Sequence, residues 1–163
     1  MPFVPETPFE HLTDVFVDLL AHKRRAPTSI GTNWNHGNLN WACREIGKFI
    51  TPAVSVAAYR HAIENQLPDP RTVRWGEQSR RLKDPGRRIF VLEHLLPVSD
   101  MIYRLEALGE RASTAEIRAI IELYDLVWIL RIEDDRLNQL RYRNRRPNDP
   151  LDAYRAAGIL IQH

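Results

Sequence analysis

The sequence predicts a mainly α-helical, single-domain protein over residues 1–163, with at most a small two-stranded β-element at about 88–94 and 125–132. Three observations support this fold class. Apolar residues recur at helical spacing in several segments, helix-start signals precede some of them, and only two short stretches are rich in β-branched and aromatic residues. The length of 163 residues lies within the roughly 100–200 residues of one domain.

Three helices are predicted before residue 67. The first begins with a capping box, Thr7 to Glu10, and buries Phe16. The second spans about 38–50, and Trp41 is interpreted as one of its core residues. The alternative for the tryptophans of residues 32–41 is stacking on unpaired bases. The third begins at Thr51-Pro52, and its predicted buried face consists of Val56, Tyr59 and Ile63.

Residues 67–88 change in character and are called here the basic segment. They contain six Arg and one Lys, with three prolines and two glycines. This composition predicts a long connection with one helical turn. Connections longer than about 12–15 residues in compact domains are usually functional or disordered.

The second half of the chain alternates between strand-like and helical patterns. A short strand at 88–94 precedes a helix that begins near Pro97 and ends at Gly109. Ser113 and Glu116 form a second capping box at the start of the next helix. Residues 125–132 are interpreted as a strand, although their spacing also allows them to extend that helix. Residues 133–140 then form a short helix with acidic residues at its start.

Composition limits the classes of function. Cys43 is the single cysteine, which excludes an internal disulfide and a cysteine-based zinc cluster. No apolar run approaches the roughly 20 residues of a membrane span, and no secretory signal pattern is present. We therefore expect a cytoplasmic protein without a membrane partner. The sequence also lacks a Gly-rich phosphate loop, a dinucleotide fingerprint and a Gly-x-Ser-x-Gly elbow.

The stretch from Glu93 to Pro97, Glu-His-Leu-Leu-Pro, resembles the acid-His-aliphatic-x-Pro signature of the His-Asn-His, or ββα-metal, nucleases. The resemblance implies that Glu93 helps to hold Mg²⁺ and that His94 is the general base that activates water. It also implies that an Asn or His on a later helix closes the site, a role available to Asn138. Further oxygen ligands would come from Glu133, Asp134 and Asp135.

The same stretch has a structural interpretation. Residues 87–96 would then form a helix, with Glu93 and His94 flanking a buried leucine stripe. The sequence leaves both interpretations open.

Arginine outnumbers lysine by 20 to 3, although the net charge is only +2. The guanidinium group binds phosphate through two parallel hydrogen bonds and stacks on flat rings, and a GC-rich genome is the alternative origin of this bias. The predicted nucleic-acid contacts are Arg74, Arg80, Arg81, Arg87, Arg88, Arg141, Tyr142, Arg143, Arg145, Arg146 and Trp34.

Two hypotheses follow for the function. The first is a nucleic-acid-binding protein that acts as a Mg²⁺-dependent endonuclease, a hydrolase of host-defence or mobile-element type. The second is a non-catalytic helical module that binds nucleic acid or a protein partner.

Overall fold

The computed structural model describes residues 13–18, 37, 40–41, 47, 50–108 and 112–162. The chain divides into two compact units. Unit 1 comprises Met1–Phe49 with Val98–Tyr124, and unit 2 comprises Ile50–Pro97 with Asp125–His163. The site residues and most of the described structure lie in unit 2.

Unit 2 contains four strands and four α-helices among its described residues. In chain order the elements are β1 Ala53–Ser55, α1 Val56–Glu64, α2 Gln78–Arg81, β2 Phe90–His94, β3 Leu126–Leu130, α5 Arg131–Gln139, α6 Leu151–Ala156 and β4 Ile161–Gln162. Two 3₁₀ turns, Pro70–Thr72 and Trp75–Glu77, precede α2. Unit 1 contains α3 Val98–Ala107 and α4 Thr114–Ile121, and residues 13–18 are also helical.

The four strands form one mixed sheet in the order β2-β3-β1-β4. β1 and β3 are parallel, with Ala53 opposite Val127. β2 runs antiparallel to β3, and β4 runs antiparallel to β1. The prediction of a mainly α protein is therefore wrong, because the chain has an α/β fold with a four-stranded sheet. The two predicted strands are present, but β1 and β4 have only three and two residues, too few to show an alternating pattern.

A hydrophobic core lies on each face of the sheet. On one face, Val127 and Ile129 of β3 pack with Leu137 of α5 and with Ala153 and Tyr154 of α6. This face is called here the α5/α6 face.

On the other face, called here the α1 face, Trp128 of β3 and Phe90 of β2 pack with Ala58 of α1. Val73 and Leu82 of the basic segment belong to the same cluster. The alternation of side chains along β3 thus divides the apolar residues of unit 2 between two cores.

The third predicted helix and its buried face are corrected by the structure. Residues 53–55 form β1, and α1 begins only after Ser55, whose side chain accepts a hydrogen bond from the Ala58 N–H. The buried residues of α1 are Ala58 and Ala62, whereas Ile63 is 59% exposed. Tyr59 of the predicted face is partly buried and packs against the α1 core, so the prediction is wrong for Ile63 and not for Tyr59.

One predicted helix start and one predicted core residue have different outcomes. The Ser113–Glu116 capping box at the start of α4 is confirmed, with both of its hydrogen bonds present. In the second predicted helix, residues 40 and 41 are helical, but Trp41 is 64% exposed, so its assignment to the core is wrong. Thr7, Glu10 and Cys43 lie outside the described residues.

The basic segment is ordered by a buried carboxylate and is more than a simple connection. Asp84 accepts hydrogen bonds from the N–H groups of Arg88, Ile89 and Phe90, at 2.8 to 3.2 Å. The amide of Gln78, also buried, donates to Asp84 and to the Phe90 carbonyl. Burial tends to raise the pKa of Asp84, but these hydrogen bonds outweigh it and lower the pKa.

In the part of the chain that the structure describes, no helix combines the length and the apolar character that a membrane crossing requires.

Candidate functional site

Glu93 and His94 lie next to each other on β2 but on opposite faces of the sheet. Glu93 is paired with Val127 and His94 with Leu126 in the ladder with β3. Val91, which shares the face of Glu93, packs in the α5/α6 core, and Leu92, which shares the face of His94, packs in the α1 core. Side chains alternate along a strand, so the structure does not bring the two predicted catalytic groups together.

Glu93 is bonded to a buried arginine. Arg146 Nη2 donates to Glu93 Oε1 at 3.0 Å. The Arg146 side chain is fully buried, while that of Glu93 remains 21% exposed. The Arg146 guanidinium carbon also lies 5.5 Å from the centroid of the Tyr154 ring, which α6 contributes from the core. Glu93, Arg146 and Tyr154 thus form one cluster on the α5/α6 face.

The environment of Glu93 favours its protonated form. Burial is the largest cause and, against the attraction of Arg146, it raises the pKa of Glu93 from 4.5 to about 7. The negative charge of Asp134 acts in the same direction. Burial also raises the pKa of Tyr154, and the charge of Glu93 adds to that effect. A half-buried carboxyl that titrates near neutrality is a candidate functional group.

The three acids predicted to bind metal have separate environments. Glu133 is buried, and its Oε2 accepts hydrogen bonds from Ser55 Oγ at 2.6 Å and from the Leu130 N–H at 2.8 Å. Asp134 accepts from Arg131 Nη1 at 3.0 Å, and Asp135 is exposed. Consecutive residues of a helix point in different directions, so these carboxylates do not converge.

Among the predicted metal ligands, the charge of Asp134 acts on Glu93. Asn138, the predicted closing residue, is an exposed residue of α5. The described residues contain no group of three or more His, Cys, Asp or Glu side chains that is placed to hold a metal ion.

The basic segment presents several of the predicted arginines to solvent. Arg74, Arg80 and Arg88 are exposed, and Arg80 has a side-chain exposure of 81%. Arg81 is only partly exposed, and its Nη1 donates to the Thr72 carbonyl at 2.7 Å.

Arg87 stacks on an exposed tryptophan. Its guanidinium carbon lies 3.5 Å from the centroid of the Trp75 ring, and Trp75 is 54% exposed. Sequence reasoning missed Trp75. The available signal was a tryptophan between Arg74 and a glycine within an arginine-rich segment.

The predicted nucleic-acid contacts at residues 141–146 differ in how far they are exposed. Arg141, Arg143 and Arg145 are exposed, but Arg146 is in the core and bonded to Glu93. Tyr142 packs against the α5/α6 core, so its ring is not fully available for stacking. Trp34 lies outside the described residues. Sequence reasoning also missed Tyr154, because an isolated tyrosine near the end of the chain carries no signal of its partners.

No protein-family model matches the chain, and neither a curated protein nor a solved structure matches it significantly.

Proposed function

We propose that the chain binds nucleic acid through the basic segment. The observation that carries this proposal is the stack of Arg87 on the exposed Trp75, in a segment whose Arg74, Arg80 and Arg88 are exposed. Asp84 holds the backbone that follows. Guanidinium groups bind phosphate, and the flat ring adds a surface for a base.

The distribution of charge supports the same proposal. The basic segment carries six Arg and one Lys against three acids, Asp69, Glu77 and Asp84. The whole chain has a net charge of only +2, so the remaining sequence is net acidic. A protein whose positive charge is concentrated in one segment attracts a polyanion there without being basic as a whole.

Binding to fluorescent oligonucleotides over a range of salt concentrations tests the proposal. The logarithm of the affinity should fall linearly with the logarithm of the salt concentration, with a slope of about 0.9 per neutralised phosphate for duplex DNA and about 0.7 for single strands. The triple variant Arg74→Ala, Arg80→Ala, Arg88→Ala should reduce the slope by about two to three.

A control variant removes the same charge elsewhere. Arg60, Arg118 and Arg155 are exposed and lie outside the basic segment, so replacing all three with Ala should leave the slope nearly unchanged. Equal effects of the two triple variants would show that binding depends on the net charge of the protein and not on the basic segment. A wild-type protein that binds no nucleic acid at low salt would contradict the proposal.

A second candidate function is cleavage of a phosphodiester bond by a group that includes Glu93. The observation in its favour is the half-buried Glu93 carboxyl with a pKa of about 7, because an efficient general base has a pKa near the working pH. Asp134 is the second carboxylate in electrostatic reach, so this pair would hold Mg²⁺ if a metal takes part. A metal would have to compete with Arg146 and Arg131, which hold the two carboxylates.

Incubation with plasmid and single-stranded substrates, with Mg²⁺, with Mn²⁺ and with a chelator, tests cleavage. Glu93→Gln should reduce the rate by about 10²–10⁴-fold. If His94 is instead the general base, as the nuclease resemblance implies, His94→Ala should cause that loss. Wild-type protein that cuts no substrate under any of these conditions would contradict the second candidate and leave the binding proposal intact.

A further inference from the structure

We propose that Trp75 is a base-stacking site that gives the basic segment a preference for single-stranded over double-stranded nucleic acid. This inference rests on the proposed nucleic-acid-binding function and specifies its ligand. The chemical group recognised is an unpaired nucleobase, which DNA and RNA strands share.

The Trp75–Arg87 stack leaves part of the indole open to solvent. The guanidinium of Arg87 lies 3.5 Å from the centroid of the indole, in van der Waals contact with one side of the ring, while the residue remains 54% exposed. An indole that is stacked on one side and open to solvent elsewhere offers surface for a second flat group. A base placed there would lie near the positive charge of Arg87. Arg74 and Arg88, the chain neighbours of the two stacked residues, are both exposed.

Hydrogen bonds hold the backbone at or next to both residues of the stack. Arg87 has a φ of +56°, a left-handed conformation that is uncommon for residues other than glycine. Its N–H donates to the Asp84 carbonyl at 3.1 Å, and its carbonyl accepts from Arg131 Nη2 at 3.0 Å. The two bonds therefore hold the backbone from which the Arg87 side chain reaches the ring, despite the unfavourable conformation.

The backbone next to Trp75 is held as well. Trp75 opens a 3₁₀ turn whose Arg74 N–H donates to Glu77 Oε2 at 3.2 Å. Two residues earlier, the carbonyl of Val73 accepts from the buried Trp128 Nε1 at 3.2 Å, which anchors the chain to the sheet. These bonds hold the backbone next to Trp75, and the ring itself is stacked on Arg87. Binding therefore requires less ordering of the chain than a mobile loop would require.

The preference for single strands follows from which nucleic acid exposes base faces. In a duplex each base is already stacked on its neighbours, so an external ring has no face to contact. In a single strand the faces are accessible, and aromatic residues stack on them without regard to sequence. The surrounding arginines contact phosphates of either form, so they do not produce the preference.

Anisotropy titrations with labelled 15-residue oligonucleotides test the inference. The ligands are single-stranded DNA, single-stranded RNA of the same sequence, the DNA duplex, and an abasic strand with the same backbone. Trp75→Ala should weaken binding to both single strands by about tenfold and leave the duplex and abasic affinities unchanged. The salt slope should also be unchanged, because no charge is removed.

Two variants serve as controls. Trp41→Ala removes another exposed tryptophan, 64% exposed and outside the basic segment, and should not alter binding. Trp75→Phe keeps an aromatic ring and should retain most of the single-strand affinity, which also guards against a failure of Trp75→Ala to fold. A difference between the DNA and RNA arms would assign the sugar that the site accepts.

The inference and the function on which it rests fail in different ways. Salt-dependent binding that Trp75→Ala leaves unchanged, or weakens equally for single strands, duplex and abasic strand, would overturn the stacking site and leave nucleic-acid binding in place. If the wild-type protein binds none of the four ligands at low salt, both are overturned.

Discussion

Arg146 and Glu93 are 53 residues apart in the sequence, yet Arg146 Nη2 donates to Glu93 Oε1 at 3.0 Å on the α5/α6 face of the sheet. The Arg146 side chain is fully buried, and the Glu93 side chain is 21% exposed. The pair therefore sits where the core of unit 2 meets solvent. It links β2 to the segment that precedes α6, and its titration should be visible in the stability of the protein.

The pH dependence of stability should carry a contribution from Glu93. Its pKa is 4.5 in the unfolded chain and about 7 in the folded protein, so the folded state binds this proton more tightly. The contribution is fully present below about pH 4.5 and is lost as pH rises through about 7. Urea unfolding between pH 4 and 8 should show wild type losing about 1–3 kcal/mol relative to Glu93→Gln. A constant difference between the two proteins would contradict the raised pKa.

The Arg146–Glu93 pair should show strong coupling in a double-mutant cycle. At pH 8, where the Glu93 carboxyl is mostly ionised, Arg146→Met leaves it without its guanidinium and should cost about 3–5 kcal/mol in the free energy of unfolding. Combining it with Glu93→Gln should cost less than the sum of the single changes, with a coupling of about 1–3 kcal/mol. Arg155→Met, which breaks only exposed ion pairs, is the control and should change stability by about 0.5 kcal/mol or less. Additive single changes would show that the two groups do not interact energetically.

Replacement of Asp84 should destabilise the basic segment. Asp84→Ala leaves the N–H groups of Arg88, Ile89 and Phe90 without their acceptor and should cost about 2–4 kcal/mol. Since hydrogen bonds lower the pKa of Asp84 below 3.8, its stabilisation is present above that pH and is lost as pH falls through the folded-state pKa.

Urea unfolding at pH 7 and pH 3 measures the effect of Asp84→Ala. The exposed Asp135→Ala variant is the control and should be nearly neutral. If both changes have the same small effect, Asp84 does not organise the segment.

Ser55 and Ser113 provide a matched comparison between a buried and an exposed helix cap. Each accepts from a helix N–H through its Oγ and donates to a glutamate, Ser55 to Glu133 at 2.6 Å and Ser113 to Glu116 at 2.7 Å. Ser55→Ala leaves a buried carboxylate short of one donor and should cost about 2–3 kcal/mol. Ser113→Ala should cost about 1 kcal/mol, a typical value for an exposed N-cap. Equal losses in urea unfolding would indicate that the buried Ser55–Glu133 bond adds nothing beyond the cap.

The sequence by itself determined the features that depend on neighbouring residues. The capping box at Ser113 and Glu116 requires two side chains three residues apart, and it formed as predicted. The strands near 88–94 and 125–132 contain enough β-branched and aromatic residues to be recognised, and they form β2 and β3. The concentration of arginine in the basic segment was also evident, because composition is a local property.

Only the tertiary structure decided which residues meet across long separations. β1 and β4 are too short to be recognised alone and form strands only because they pair with each other and β1 pairs with β3. The alternation of side chains along β2 was predictable from the sequence. That each face carries its own core, which separates Glu93 from His94, is a property of the tertiary structure. Arg146 could not be distinguished from Arg143 or Arg145 by sequence, because burial and the partner Glu93 are set by contacts between distant segments. The same reason explains why Trp75 was missed: its stack with Arg87 depends on a turn that Asp84 organises through hydrogen bonds.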